Sequence, residues 1–550
     1  MNIRLRLANL IFPEVKKGIA DLEKEFPKRQ LPEGAMVTRF APSPTGFLHT
    51  GSLFASLVSW RFAKQSKGVF FCRLEDTDQK REISGSGDKV LEELSAFGII
   101  PDESFVSGGT YGPYVQSQRK FIYDIVIKHL IEQGLAYPCF CTHEELDHIR
   151  AEQEAKKENP GYYGAYAKCR HLSEIEAINK IEEGKSFVIR FRSNGDEEKK
   201  AVVDDLIRGR IEFPENVQDI VIMKSDFLPT YHFAHLVDDH FMRTTHITRG
   251  EEWLSSIPIH LQLFEAIGWE KPLYAHLPVI MKQEGDKRRK LSKRKDVEAS
   301  VRFFLEQGYP AEGFLEYLMT IANTNFEEWR LDHPMANIFD FKLDFQKMSL
   351  DGALFDLEKL SNISKERLGA MSAAEIAMNA TTWAKEYQPE FAKAIESDPH
   401  LFEQLMSIER GGEKPRKDYI KYSDIFPIIQ FMFDEYYQKA IDEGLSFSER
   451  YSTAEIKDVL LTFLENPGLE LSEDGWFENL QQLSLSLGFA AKPKDYKKNP
   501  EAYRGHVGDV AEMIRIAVSG RKNTPNFYYI LKYMGMNKIT ERIHTIIGLL

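Results

Sequence analysis

The chain has 550 residues, of which 43% are hydrophobic and 28% charged, and a formal net charge of −13. That length is too great for one core and suggests roughly three or four domains. Four cysteines exclude a disulfide scaffold, no apolar run reaches the roughly 18 residues that span a bilayer, and the acidic balance argues against a non-specific nucleic-acid binder.

Residues 1–35 read as an amphipathic helix followed by a polar linker. The apolar stretch in "MNIRLRLANLIFPEVKKG" is too short for a signal peptide, so a cytoplasmic location is expected. From Met36 to about Gly108, strand and helix alternate. "MVTRFA" reads as a strand, "LFASLVSWRFAKQ" as a helix ended by Gly68, and "VFFCRLED" as a second apolar strand with Cys72 in the core. "GDKVLEELSAFGI" and "QRKFIYDIVIKHLIEQG" continue as helices. This rhythm predicts a parallel, doubly wound α/β sheet with ligands at the carboxyl ends of its strands.

The first strand-to-helix junction is "RFAPSPTGFLHTGS". Glycine and small polar residues at a helix N-terminus leave backbone N–H groups free at the positive end of the dipole, which suits phosphate. His49 adds a donor, Gly51 allows close approach, and the strand brings Arg39 and Ser43 to the same rim. The arrangement predicts a nucleotide site whose imidazole stabilises developing charge rather than acting as a general base.

Between Tyr137 and about Val217 the rhythm breaks, and the β-like "SFVIRFRS" and "VVDDLIRGRIEF" suggest an inserted subdomain. Within it, Cys139-x-Cys141 and Cys169-x-His171 form two close pairs that suit tetrahedral Zn²⁺. His171 stands ahead of Tyr162, Tyr163, Tyr166 and His143 as the fourth ligand, and three buried thiols without a metal are the alternative. The α/β pattern is expected to resume with "DIVIMKSD", "PTYHFAHLVDDHF" and "THITRGEEWL". "DKRRKLSKRKD" then packs seven basic residues into the nine from Lys287 to Lys295. It is either a solvated loop or a mobile one closing over a triphosphate, with Lys293 on the phosphates. From about Asp351 the periodicity is helical, as in "SDIFPIIQFMFDEYYQKAI" and "TAEIKDVLLTFLEN".

The expected fold is α/β, a Rossmann-like doubly wound parallel sheet with an inserted zinc-bearing subdomain, followed by an all-α C-terminal half. The expected boundaries are an extension over 1–35, the sheet domain over 36–134 and 219–300, the insertion over 135–218, a linking domain over 301–365, and a helical region over 366–550.

"RFAPSPTGFLHTGS" resembles the HIGH region of class I aminoacyl-tRNA synthetases in the form found in bacterial glutamyl-tRNA synthetases, and "KLSKR" resembles their KMSKS loop. The likeness extends to "RLEDTD", "PTYHFAHLVDDH", "RGEEWL" and "DGALFDLEKL", and more faintly to "IRIAVSGRKNTPNFYYIL". Ser52 stands where the class pattern has its second histidine. The resemblance implies ATP-dependent activation of glutamate, dependent on tRNA, followed by transfer to the 3′-terminal adenosine of tRNA-Glu, with tRNA-Gln left open. It implies His49, Gly51, Lys290 and Lys293 as the catalytic and ATP-binding group, with Mg²⁺ arriving on ATP. For glutamate it implies Arg39 on the side-chain carboxylate, Glu75 on the ammonium and Arg249 on the α-carboxylate. Ala41, Ser43, Tyr231 and His235 complete the pocket, His235 standing where asparagine is common. The cysteine spacing is similar to the zinc site of the family's acceptor-binding insertion. Arg416 and Arg521 are the residues suggested for the anticodon side, and a monomer is expected.

Each reading has a structural alternative. Arg39 and Glu75 could form an ion pair, Tyr231 could simply pack, and Arg416 and Arg521 could be solvated. Two other functions compete. A small-molecule nucleotidylyltransferase would need neither the cysteine insertion nor the helical half, and a silent tRNA-binding paralogue would not need Arg39, His49, Glu75, Arg249 and Lys293 together.

Overall fold

The computed structural model describes residues 2–44, 46–78, 85–412 and 415–550, so Thr45 of the glycine-bearing loop and Lys414 of one basic stretch lie outside the described residues. The chain divides into two compact units. One comprises residues 1–303 with 315–356, the other 304–314 with 357–550.

The first unit is built on parallel strands. Val37–Phe40, Val69–Cys72 and Glu103–Ser104 form a three-stranded sheet in that order, with Val37 opposite Val69 and Phe40 opposite Cys72. His246–Gly250 and Leu273–Leu277 form a second parallel pair. The two sets meet where Thr245 N donates to Val37 O at 3.0 Å. Thr50–Gln65 is the helix crossing from the first strand to the second, and it buries Leu53, Phe54, Leu57, Val58 and Phe62. Its return into Val69 needs Gly68, because a Cβ there would lie 1.9 Å from Met36 O.

Two expectations about this unit are corrected. "DIVIMKSD" does not resume the parallel sheet. Val221–Met223 pairs antiparallel with Val188–Phe191, which pairs in turn with Ala136–Cys139. A short apolar run has the same pattern in either kind of core strand, so periodicity could not separate them. The parallel pattern resumes only after the helix Tyr231–Phe241. The lysine-rich segment is a loop only in part: Met281–Glu284 and Lys287–Lys290 form an antiparallel hairpin, and Lys293 lies in the turn that follows it.

The N-terminal segment holds two helices rather than a helix and a linker. Ile3–Ile11 packs against Lys120–Glu132, and Ile19–Glu25 follows, with Asp21 accepting from Gly18 N at 2.9 Å. Buried Leu22 and Phe26 anchor this second helix, two apolar positions being too few to show a period in the sequence.

The second unit is helical. Its core joins residues such as Ile376, Phe391, Phe402, Ile425, Leu460, Ile514 and Ile543 from successive helices. The stretch of helical periodicity from Ser423 forms Ile425–Ile429, a 3₁₀ turn over Gln430–Met432, and Asp434–Asp442. Segment 304–314 joins this core. Trp383 Nε1 donates to Leu305 O at 2.8 Å, and its ring lies so near Gly308 (φ +81°) that a Cβ would approach to 2.8 Å. Among the described residues, no helix is long and apolar enough to cross a membrane.

Candidate active site

The carboxyl ends of Val37–Phe40 and His246–Gly250, with the start of the helix Thr50–Gln65, enclose a cavity of about 460 Å³. Arg39, Ala41, Ser43, His49, Gly51, Glu75, Tyr231, Arg249, Lys290 and Lys293 all line it. Ten side chains or backbones chosen from segments up to 254 residues apart thus share one space, as the parallel-sheet rule requires.

His49 is the N-cap of the crossing helix, and its Nδ1 accepts from Gly51 N at 2.9 Å. Burial, with Lys293 and Lys290 beside it, pulls its pKa down to about 4. The ring is therefore neutral near pH 7, with its proton on Nε2, so it is suited to donate a hydrogen bond. Lys293 reaches back across the mouth to donate to Phe47 O. Burial lowers its pKa, and nearby Glu93 opposes that. Lys290 pairs with Glu252 at 3.1 Å.

The deeper part is charged and buried. Arg39 donates through Nε to Asp239 at 3.3 Å, while Arg73 donates to Glu75 at 2.9 Å and to Asp239 at 3.0 Å. Arg39 and Glu75 therefore each have another partner, and the simple ion pair between them is not the arrangement found. Burial raises the Glu75 carboxyl, against the pull of Arg73 and Arg39. Burial also acts to raise Asp239, but Arg39 and Arg73 hold it well below the usual carboxylate range. Asp76 accepts from Ser117 N at 2.8 Å.

Tyr231 stacks on Trp253 with ring centroids 4.4 Å apart, and burial pushes its hydroxyl up to about 12. Packing and cavity lining thus go together at this residue. His235 differs from the other expected pocket residues. It is fully buried and does not line the cavity, and its Nδ1 faces Asp239 at 2.8 Å under the Tyr231 ring. Its position one turn past Tyr231 on the same helix puts it in the layer below. Arg249 donates through Nε to His276 at 3.0 Å, whereas its buried Nη1 has no partner among the described residues. Trp253, Glu252 and His276 were not singled out in the sequence. The signal available for the first two was adjacency to Arg249 in "RGEEW".

A second cluster lies in the insertion. Cys139, Cys141 and Cys169 bring their sulfurs within 4.8 Å of one another, and Cys141 Sγ is 3.6 Å from Cys169 Sγ. The Tyr162 hydroxyl is 3.2 Å from Cys141 Sγ and 3.5 Å from Cys139 Sγ. His171, expected as fourth ligand from its spacing, is exposed and outside the group. The 3₁₀ turn Lys168–His171 explains this, because it turns residue 171 away from residue 169. The thiols share one proton network, in which Cys141 and Cys169 pull the Cys139 thiol downward while Cys139 and Cys169 push the Cys141 thiol upward. Three sulfurs and a phenol oxygen at these separations fit a tetrahedral divalent metal.

In the helical unit, Arg416 is largely buried, pairs with Asp418 at 2.5 Å and lies over the Tyr419 ring. Arg521 donates to Pro427 O and lies over Phe431.

The family model for the catalytic domain of class I tRNA synthetases (E and Q) matches residues 35–361. The chain belongs to this family of class I tRNA synthetases. The match covers every cavity residue and all three cysteines. Among the synthetase's relatives, the glutamate–tRNA ligase of Clostridium perfringens strain 13 is 47% identical over 541 residues, covering 98% of this chain and 99% of its own. That of Acetivibrio thermocellus is 46% identical over 546 residues, covering 98% and 99%. The crystal structure of a glutamate tRNA ligase from Elizabethkingia meningosepticum in complex with its amino acid superposes with a TM-score of 0.73 at 29% identity, covering 94% of this synthetase and 99% of that chain.

Proposed function

We propose that the chain is a glutamate–tRNA ligase, which forms glutamyl-adenylate from ATP and L-glutamate and passes the glutamyl group to the 3′-terminal adenosine of tRNA-Glu. The observation that carries this is the cavity that Arg39, Glu75, Tyr231 and Arg249 line together with His49 and Lys293. Glutamate presents two carboxylates and one ammonium, and two arginines with one acid match that set.

In the first step a glutamate α-carboxylate oxygen attacks the α-phosphorus of ATP and pyrophosphate leaves with the electrons of the broken P–O bond. His49, neutral and protonated on Nε2, donates to a phosphate oxygen, and Lys293 offsets the charge on the departing pyrophosphate. Mg²⁺ carried by ATP neutralises further phosphate charge. In the second step a ribose hydroxyl of tRNA attacks the acyl carbon and AMP leaves. Cys139, Cys141, Cys169 and Tyr162 would hold a structural Zn²⁺ that braces the insertion. The helical unit is the proposed anticodon side. Arg416 and Arg521 are the arginines suggested for that contact. The reading takes the protein as a cytoplasmic monomer.

The test is ATP–pyrophosphate exchange with glutamate or glutamine, with and without tRNA. Exchange with glutamate alone, and only with tRNA present, is expected. Exchange with glutamine overturns the pocket assignment, and none with either amino acid favours a silent tRNA-binding protein. Charging of tRNA-Gln alongside tRNA-Glu is read in the same assay.

A further inference from the structure

The parallel strands His246–Gly250 and Leu273–Leu277 are in a register that puts His276 directly beside Arg249. Both side chains point into the same buried layer, with 0% exposure for His276 and 5% for Arg249. His276 Nδ1 lies 2.7 Å from Asp205 Oδ2. A carboxylate only accepts, so the proton sits on Nδ1 and the lone pair on Nε2 faces outward. That lone pair accepts from Arg249 Nε at 3.0 Å. The opposite tautomer would set N–H against N–H, so Asp205 decides whether His276 can hold the arginine at all.

Asp205 is itself fixed. It is buried at the end of the strand Lys200–Asp205 and accepts from the backbone N–H of Ile207, Arg208 and His276 at 2.9 to 3.0 Å. Arg249 completes its hold through Nη2, which donates to Trp253 O at 3.4 Å, and its guanidinium lies over the Tyr274 ring at 5.1 Å. Nη1 is left buried and without a partner among the described residues, on a residue that lines the cavity. An unpartnered buried guanidinium N–H is costly unless a ligand satisfies it.

We propose that His276 and Asp205 are positioning residues for amino-acid recognition, which together fix Arg249 in the orientation that leaves Nη1 for the α-carboxylate of glutamate. This rests on the glutamate–tRNA ligase reading. It gives the buried Asp205–His276 pair a task in substrate binding that packing alone does not require.

The experiment measures KM for glutamate and for ATP by pyrophosphate exchange, in full-length protein with tRNA present, for His276→Phe, His276→Gln and Asp205→Asn. His276→Phe removes the acceptor and should raise KM for glutamate about tenfold or more, the usual loss for a hydrogen bond to a charged group, with KM for ATP within about twofold. His276→Gln can place an amide oxygen near the Nε2 position and should recover most of that loss. Glutamol, which keeps the ammonium and side-chain carboxylate but lacks the α-carboxylate, should inhibit His276→Phe and the wild type equally. If His276→Phe does not fold, Asp205→Asn carries the question, with the same selective rise in KM for glutamate expected. An unchanged KM for glutamate, a parallel rise for both substrates, or weaker inhibition by glutamol each overturns the assignment. Absence of glutamate-dependent exchange in the wild type instead overturns the ligase reading, and this inference with it.

Discussion

His49 accepts the backbone N–H of Gly51 at 2.9 Å, so one imidazole both caps the crossing helix and keeps a proton on Nε2 at the cavity mouth. The two tasks separate on substitution. His49→Ala should cost about 1 kcal/mol of stability through the lost cap, and should slow pyrophosphate exchange about 10²- to 10³-fold through the lost donor. His49→Asn retains a capping oxygen, so its melting temperature should return towards wild type while its exchange rate stays low. A wild-type rate in His49→Asn would show that the donor plays no part.

Lys293 crosses the same mouth to Phe47 O. Lys293→Ala should lower adenylate formation about 10²-fold, in line with other electrostatic donors, while tRNA affinity changes little. Exchange kinetics and filter binding read the two separately. An equal fall in both would identify the loop as an RNA anchor.

Arg73 is completely buried and sits among three carboxylates, Glu75 at 2.9 Å, Asp239 at 3.0 Å and Asp238 at 3.6 Å. Arg73→Met leaves those charges short of compensation and should destabilise the fold by about 3–5 kcal/mol, the range for breaking a buried pair. Denaturant unfolding measures it. A loss below about 1 kcal/mol, the scale of an exposed pair, would contradict this account of the network.

His235 lies in the same layer, facing Asp239, Arg39, Arg249 and His260. Burial drives its pKa down from 6.5 to about 3, against the pull of Asp239. The unfolded chain binds this proton below about pH 6.5 and the folded chain does not. The stability it contributes is thus complete above pH 6.5 and is lost as pH falls towards about 3. Between pH 7 and pH 5 that loss is about 2 kcal/mol. His235→Asn should flatten the pH dependence of unfolding by about this amount, and parallel curves for the two proteins would refute it.

The parts legible in the sequence were those encoded locally. A strand, a glycine-bearing loop and a helix are contiguous around His49, and Cys139-x-Cys141 needs no knowledge of the rest of the chain. Arg39, Glu75 and Arg249 were placed through family resemblance, and the cavity unites them. What stayed hidden depends on register and turn geometry. Nothing in residues 205, 249 and 276 shows that two parallel strands set Arg249 beside His276, or that the end of the strand Lys200–Asp205 supplies Asp205. The strand Val221–Met223 was misread because apolar character does not encode the direction of its partner.

The insertion gives the last test, where spacing and geometry favour different fourth ligands. His171 follows Cys169 by two residues yet is exposed, whereas Tyr162 sits 3.2 Å from Cys141 Sγ and also accepts contact from Cys169 N at 3.0 Å. Metal content by mass spectrometry should be about one zinc per chain. Cys169→Ala should abolish it, and His171→Ala should leave it intact. Tyr162→Phe should bind more weakly, releasing zinc to a chelator that leaves the wild type loaded. Because the metal would bridge Ala136–Cys139 to the turn at Cys169, its removal should loosen the insertion and weaken tRNA binding, while the glutamate-and-ATP cavity keeps its own contacts. Zinc lost from His171→Ala but retained by Tyr162→Phe would return the fourth position to the histidine.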